Sequence, residues 1–145
     1  MHLVNQGRGK GVATYYNNEF KVSGSINKEL YQISKVISQE FDVINIYCSK
    51  GANKSDFLRD LGSLANAARP TFLIGDLNIN FLNNPKDRIV IKILSNGFKQ
   101  LVSAPTHIEG GLLDHIYIKQ LSFEPHIVIN FPYYSDHGAI SVFSP

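Results

Sequence analysis

Two periods run through the apolar positions of this chain. Phe41-Asp42-Val43-Ile44-Asn45-Ile46-Tyr47 alternates. Phe41, Val43 and Asn45 fall on one face of an extended chain, and Asp42, Ile44 and Ile46 on the other. This predicts a strand, central in its sheet, that ends at Tyr47. Val12-Ala13-Thr14-Tyr15-Tyr16 is rich in β formers and predicts a strand over 12–16. Asn17-Asn18 predicts a turn and 20–22 a returning strand. The mixed β-branched stretch 30–37 predicts another. A helical period follows. Ser55 stands as a cap, Asp56 in the first turn, and Phe57, Leu58, Leu61, Leu64, Ala65 and Ala68 recur at helical spacing until Pro70. A second helix is predicted over 86–95, with Ile89, Val90, Ile93 and Leu94 inward and Asn96-Gly97 closing it. Further strands are predicted over 98–102 and 112–118, centred on 126–129, and over 139–143. Many strands and two helices predict an α/β sandwich, a single domain over 1–145.

One stretch stands between the two helices: Pro70-Thr71-Phe72-Leu73-Ile74-Gly75-Asp76-Leu77-Asn78. Its apolar run is short enough for a buried strand and stops at Gly75. A carboxylate and an amide follow, one residue apart. A plain turn uses the same residue types. Two later motifs change that picture: Leu113-Asp114-His115-Ile116 and Ser135-Asp136-His137. Each lies beside a strand-like run, where a rigid element delivers polar groups to an exposed end. Asp114 and His115 are neighbours on one strand and point to opposite faces, so His115 is expected to be structural. His2, His107 and His126 are expected to stand outside any catalytic role.

These groups suit phosphodiester cleavage. An anionic ester resists attack by water, and catalysis needs a base, a cation and donors aimed at the phosphoryl oxygens. Asp76 can serve as base. A histidine held by a carboxylate is a positioned donor whose raised pKa keeps it protonated. Mg²⁺ takes only one or two protein carboxylates and keeps several waters.

Composition narrows the setting. The chain has 145 residues and is 43% hydrophobic, enough for a packed core. No apolar run approaches a membrane span, and the N-terminus lacks a secretory pattern. The net charge of +2 permits contact with a phosphate backbone without requiring it. Cys48 is the only cysteine, which excludes an internal disulfide and zinc-finger spacing and fits an intracellular protein. Gly7-Arg8-Gly9-Lys10-Gly11 lacks the Walker spacing and is expected to be a flexible turn, with Arg8 as a candidate phosphate contact.

Gly75-Asp76-Leu77-Asn78, Leu113-Asp114-His115-Ile116 and Ser135-Asp136-His137, in this order, resemble the endonuclease/exonuclease/phosphatase superfamily with its DNase I-like fold. Pro105-Thr106-His107 and the Gly-rich entry before Val12-Ala13 resemble the endonuclease domains of non-LTR retrotransposons. The resemblance runs from Gly7 to Val142. It implies two packed β-sheets flanked by helices in four layers, αββα, and metal-dependent phosphodiester cleavage with Mg²⁺ or Mn²⁺. By resemblance, Asp76 activates or aligns the attacking water and Asn78 orients the water or a phosphate oxygen. His137 contacts the scissile phosphate, Asp114 orients His137, Asp136 lies close to the metal with Asp76, and Tyr47 contacts phosphate. Thr106 and Arg8 are the substrate-side candidates.

The family also places an asparagine and a metal-binding glutamate on strands ahead of the Gly-rich segment. Glu19 and Glu40 follow that segment and do not fill the role, and Cys48-Ser49-Lys50 follows Tyr47 where prolines are usual. The chain therefore resembles the C-terminal portion of such a domain, incomplete at the N-terminus, with weak activity expected. The reading is a DNA endonuclease of retrotransposon type. The alternatives are a non-catalytic remnant that binds without cutting, and a phosphatase of the same superfamily. DNA is the expected partner, no membrane is expected, and a nuclear location would accompany action on DNA.

Overall fold

The structure, a computed structural model, describes residues 1–5 and 11–145. Arg8 lies outside the described residues. Six strands form the main sheet: β3 (Lys21–Asn27), β4 (Tyr31–Ile37), β5 (Asp42–Cys48), β6 (Thr71–Asp76), β8 (Asp114–Lys119) and the two-residue β7 (Lys99–Gln100). Their spatial order is β3-β4-β5-β6-β8-β7. Pairs are antiparallel except β5 with β6, which are parallel. A parallel pair needs a crossover, and helix α1 (Lys54–Leu64) supplies it.

The alternation in β5 explains how the sheet is covered. Ile44, Ile46 and Cys48 are buried in one cluster with Ile33, Leu73 and Tyr117, under Phe57 and Leu61 of α1 and Ile89 and Ile93 of α2 (Arg88–Ser95). The opposite face carries Phe72, Ile74, Ile116 and Ile118, which pack with Val102, Leu112, Ile127, Ile129 and Ile140. Two antiparallel pairs cover that face: β1 (His2–Asn5) with β2 (Gly11–Thr14), and β9 (His126–Asn130) with β10 (Ala139–Phe143). Asn45 reaches from β5 to Thr14 Oγ1 and the Ala13 carbonyl, at 3.2 and 3.3 Å. The protein is thus an α/β sandwich. Of the four layers expected, the described residues supply three: a helical layer, the six-stranded sheet, and a second β-layer made of two hairpin pairs.

Several boundaries differ from those expected. Helix α1 is capped by Asn53, whose side chain accepts from Asp56 N, and it ends at Leu64 rather than Ala68. The Asn66 side chain accepts from Ala68 N, a local turn that competes with the last helical turn. Helix α2 begins after Asp87, whose carboxylate accepts from Ile89 N at 2.8 Å. Strand β8 starts at Asp114 because Leu112 and Leu113 are occupied elsewhere: their carbonyls accept from Phe81 N and Leu77 N.

One charged knot sits where the interior strand β5 begins. Asp42 is fully buried. Arg69 Nε donates to its Oδ1 at 2.7 Å, and Lys35 Nζ stands 2.9 Å from Oδ2, off the line of a hydrogen bond. Arg69 also donates to the Ser38 carbonyl and Lys35 to that of Leu64. Both cations therefore keep a hydrogen-bond partner in a site where an unpaired charge would be strongly destabilising.

Candidate active site

The site forms where three adjacent strands end. In register, Tyr47 of β5 stands beside Asp76 of β6, and Asp76 beside Asp114 of β8. Side chains in register share a face, here the face under the second layer. His137, on the loop between β9 and β10, comes down from that layer. Its Nδ1 lies 2.7 Å from Asp114 Oδ2. Ligand atoms of Asp76, Asp114 and His137 all lie within 4.8 Å of one another.

Gly75 sets this geometry. Its φ is +139°, and a Cβ built there would collide with the Ile46 carbonyl of the neighbouring strand. Only glycine allows β6 to run this close to β5 just before Asp76. Asn78 then turns with a positive φ of 52°. Its N–H donates to Asp76 Oδ1 at 2.8 Å, and its side-chain amide donates to the Cys48 carbonyl at 2.9 Å. Asn78 thus clasps the ends of β5 and β6 together and fixes one oxygen of Asp76.

The Asp76 carboxyl and the His137 imidazole are both shifted upward, for different reasons. Burial pushes the Asp76 carboxyl up, and the Asp114 charge adds to this against the opposing Asn78 N–H. Burial alone would lower His137, but the hydrogen bond and charge of Asp114, with Asp76 and Asp136 beyond, outweigh it and hold the imidazole above its ordinary 6.5. With Nδ1 bound to Asp114, Nε2 is the ring nitrogen that Asp114 does not engage. His115 faces the other way. It is buried, its Nε2 lies 2.8 Å from the Ile79 carbonyl and its Nδ1 2.8 Å from the Tyr117 hydroxyl. Burial lowers its pKa, as suits a neutral structural imidazole.

The other sequence candidates are placed as follows. Thr106, expected on the substrate side, is fully buried. Its Oγ1 accepts from Leu113 N and Asp114 N, each at 3.0 Å, and its carbonyl accepts from Gly138 N at 2.7 Å. It ties the Asp114 strand to the His137 loop instead of facing solvent. Asp136 does not join Asp76 in one group. Its exposed carboxylate stands 3.4 Å from His107 Nε2, and the two form a second group with His137. His107, expected to have no part, therefore borders the site, its ring perpendicular to that of His137 at 5.0 Å. Its place directly after Pro105-Thr106 was the signal available in the sequence.

A divalent cation fits these groups. Two carboxylates in register, one with its pKa raised partly by the other's charge, are the hard oxygen ligands that Mg²⁺ accepts.

The mixed sheet presents Tyr47, Asp76 and Asp114 at adjacent strand ends, and a second β-layer supplies a carboxylate-bound histidine, as the resemblance to the DNase I-like fold implies. Comparison with solved structures agrees. The human Nocturnin catalytic domain with bound sulfate matches with a TM-score of 0.56 and 18% identity, over 89% of this chain and 62% of that one. The endonuclease domain of TRAS1, a telomere-specific non-LTR retrotransposon, matches with a TM-score of 0.62 and 12% identity, over 83% and 66%. An endonuclease/exonuclease/phosphatase family protein from Leptotrichia buccalis matches with a TM-score of 0.58 and 15% identity, over 86% and 61%. The chain spans somewhat less than two thirds of each of these three. Neither the protein-family models nor the curated protein sequences give a match. The fold is that of the endonuclease/exonuclease/phosphatase proteins. No helix among the described residues is long and apolar enough to cross a membrane.

Proposed function

We propose that this protein hydrolyses phosphodiesters with a divalent metal, Mg²⁺ or Mn²⁺, and acts as an endonuclease on DNA. The observation that supports it best is the Asp76–Asp114–His137 group at adjoining strand ends. Asp114 accepts from His137 Nδ1 and favours the imidazolium, so Nε2–H can donate to a phosphoryl oxygen as negative charge grows there. Asp76, one oxygen held by Asn78, has the raised pKa of a carboxylate suited to take a proton from water. Tyr47 stands beside it in register, in reach of the same phosphate. Thr106 and Asn78 position these groups. Asp76, with Asp114 beside it in register, would hold the cation, Asp136 of the neighbouring His107 group would engage it only through water, and a bound cation would neutralise charge on the phosphate. DNA as substrate is favoured by Pro105-Thr106-His107, which resembles the retrotransposon endonucleases, and by the fold shared with the TRAS1 domain.

Few protein ligands imply weak metal binding and slow turnover. The test is plasmid nicking and hydrolysis of bis(p-nitrophenyl) phosphate across a Mg²⁺ series. Detectable activity that needs high Mg²⁺ and falls about a hundredfold or more with His137→Ala or Asp76→Asn is expected. Activity that survives His137→Ala would place the chemistry elsewhere. A wild type inert toward both substrates at every Mg²⁺ concentration would leave a binding module.

A further inference from the structure

Immediately before Ser135-Asp136-His137, the loop between β9 and β10 carries two tyrosines. Tyr133 is 100% exposed and Tyr134 79%. Their rings meet edge to face, centroids 5.3 Å apart at 84°. Aromatic rings this exposed contribute little to a core, and an exposed aromatic pair is the kind of surface that marks an interaction.

The backbone beneath them is held. Ala139 pairs with Asn130 at the loop's base. Ile108 N donates to the Asp136 carbonyl at 2.8 Å, and His137 N to Ser135 Oγ at 3.1 Å. Tyr134 precedes His137 by three residues, so their Cα atoms are at most about 11 Å apart. A nucleotide next to a phosphate on His137 would therefore lie near the backbone that carries the rings. The segment 131–138 has no lysine or arginine, so what Tyr133 and Tyr134 offer a nucleic acid is ring surface. Bases within a duplex are already stacked on one another, whereas an unpaired base has a free face for an aromatic ring.

We propose that Tyr133 and Tyr134 form a stacking platform for an unpaired base beside the scissile phosphate, so that the site prefers single-stranded or locally opened nucleic acid. This rests on the phosphodiesterase reading above. Tyrosine rings also suit a lipid headgroup region, and Phe131 beside them is partly exposed, but the tip carries no lysine or arginine and its one carboxylate, Asp136, faces solvent.

The test is binding in metal-free buffer, by fluorescence anisotropy, of a dodecathymidylate strand, the same strand with its bases replaced by abasic spacers, and a duplex of equal length. The variants are Tyr133→Ala/Tyr134→Ala and Tyr133→Phe/Tyr134→Phe. We expect the alanine pair to weaken binding of the thymidylate strand about tenfold or more. The phenylalanine pair should stay within about twofold of wild type. The abasic strand and the duplex should bind more weakly than the thymidylate strand and be indifferent to all four substitutions. Equal binding of thymidylate and abasic strands, or no effect of the alanine pair, would overturn the proposal while leaving bis(p-nitrophenyl) phosphate hydrolysis, and the reading it tests, untouched. A loss as large with phenylalanine as with alanine would assign the effect to the hydroxyls and overturn stacking. Tyrosine-dependent binding to phosphatidylcholine vesicles in place of the strand would also overturn it.

Discussion

The His137 imidazole is oriented by the 2.7 Å approach of its Nδ1 to Asp114. That contact outweighs burial and raises the pKa, so the protonated donor persists to higher pH than in a free imidazole. The sign follows for stability too: the folded state binds this proton more tightly, so its contribution is complete below 6.5 and is lost as pH rises through the folded pKa. Asp114→Asn removes the charge and leaves the burial. The His137 titration, followed by the NMR shift of its ring proton in metal-free buffer, should then move to lower pH. An unchanged midpoint would show that Asp114 does not set the protonation state. Asp76, Asp114 and His137 could be singled out as residues, because each motif lies beside a strand-like run. Their partners were less legible. Thr106 reads in sequence as a substrate-side hydroxyl, but folding buries it against Leu113 N and Asp114 N. His107 is brought to the site by an isolated bridge between His107 and His137, a contact across thirty residues that no local pattern announces.

Elements with a strong period were legible: β5 from its alternation, and the two helices from their apolar stripes. Strand β1 was not, since four residues with one buried side chain, Val4, leave little pattern. Strand β7 is two residues long and exists only because β8 pairs with it. The far end of α1 kept helical spacing at Ala65 and Ala68, yet Asn66 turned the chain. Gly75 shows an element whose identity depends on its neighbour. A turn glycine tolerates alanine at modest loss if the backbone can relax, but here Ile46 of the parallel strand fills the space. Gly75→Ala should destabilise the protein by about 3 kcal/mol or more. For a domain of this size the thermal midpoint should then fall by about 6–12 °C. A midpoint within experimental error of wild type would mean that β6 can move away from β5.

Across the whole molecule, the site is assembled from two layers. Asp76 and Asp114 belong to the six-stranded sheet, and His137 to a loop of the β9–β10 pair, held by Ile127, Ile129 and Ile140 against the sheet. A two-stranded pair has little stability of its own. If the proposed site is active, bis(p-nitrophenyl) phosphate hydrolysis should therefore be lost at lower urea than the far-UV circular dichroism of the main sheet, and coincident curves would show that both layers unfold together. Cys48 lies under α1 at the end of β5, where burial, with the charges of Asp76 and Asp87, pushes its thiol up to about 12. At neutral pH almost none of it is thiolate, and the residue is only 2% exposed. A thiol reagent can then act only during excursions of this strand end. As the only sulfhydryl in the chain, Cys48 is a ready-made stopwatch for those excursions. Alkylation of the native protein should run on the order of a hundredfold or more slower than in urea. Asn78→Ala, which unfastens the Cys48 carbonyl, should start the clock sooner.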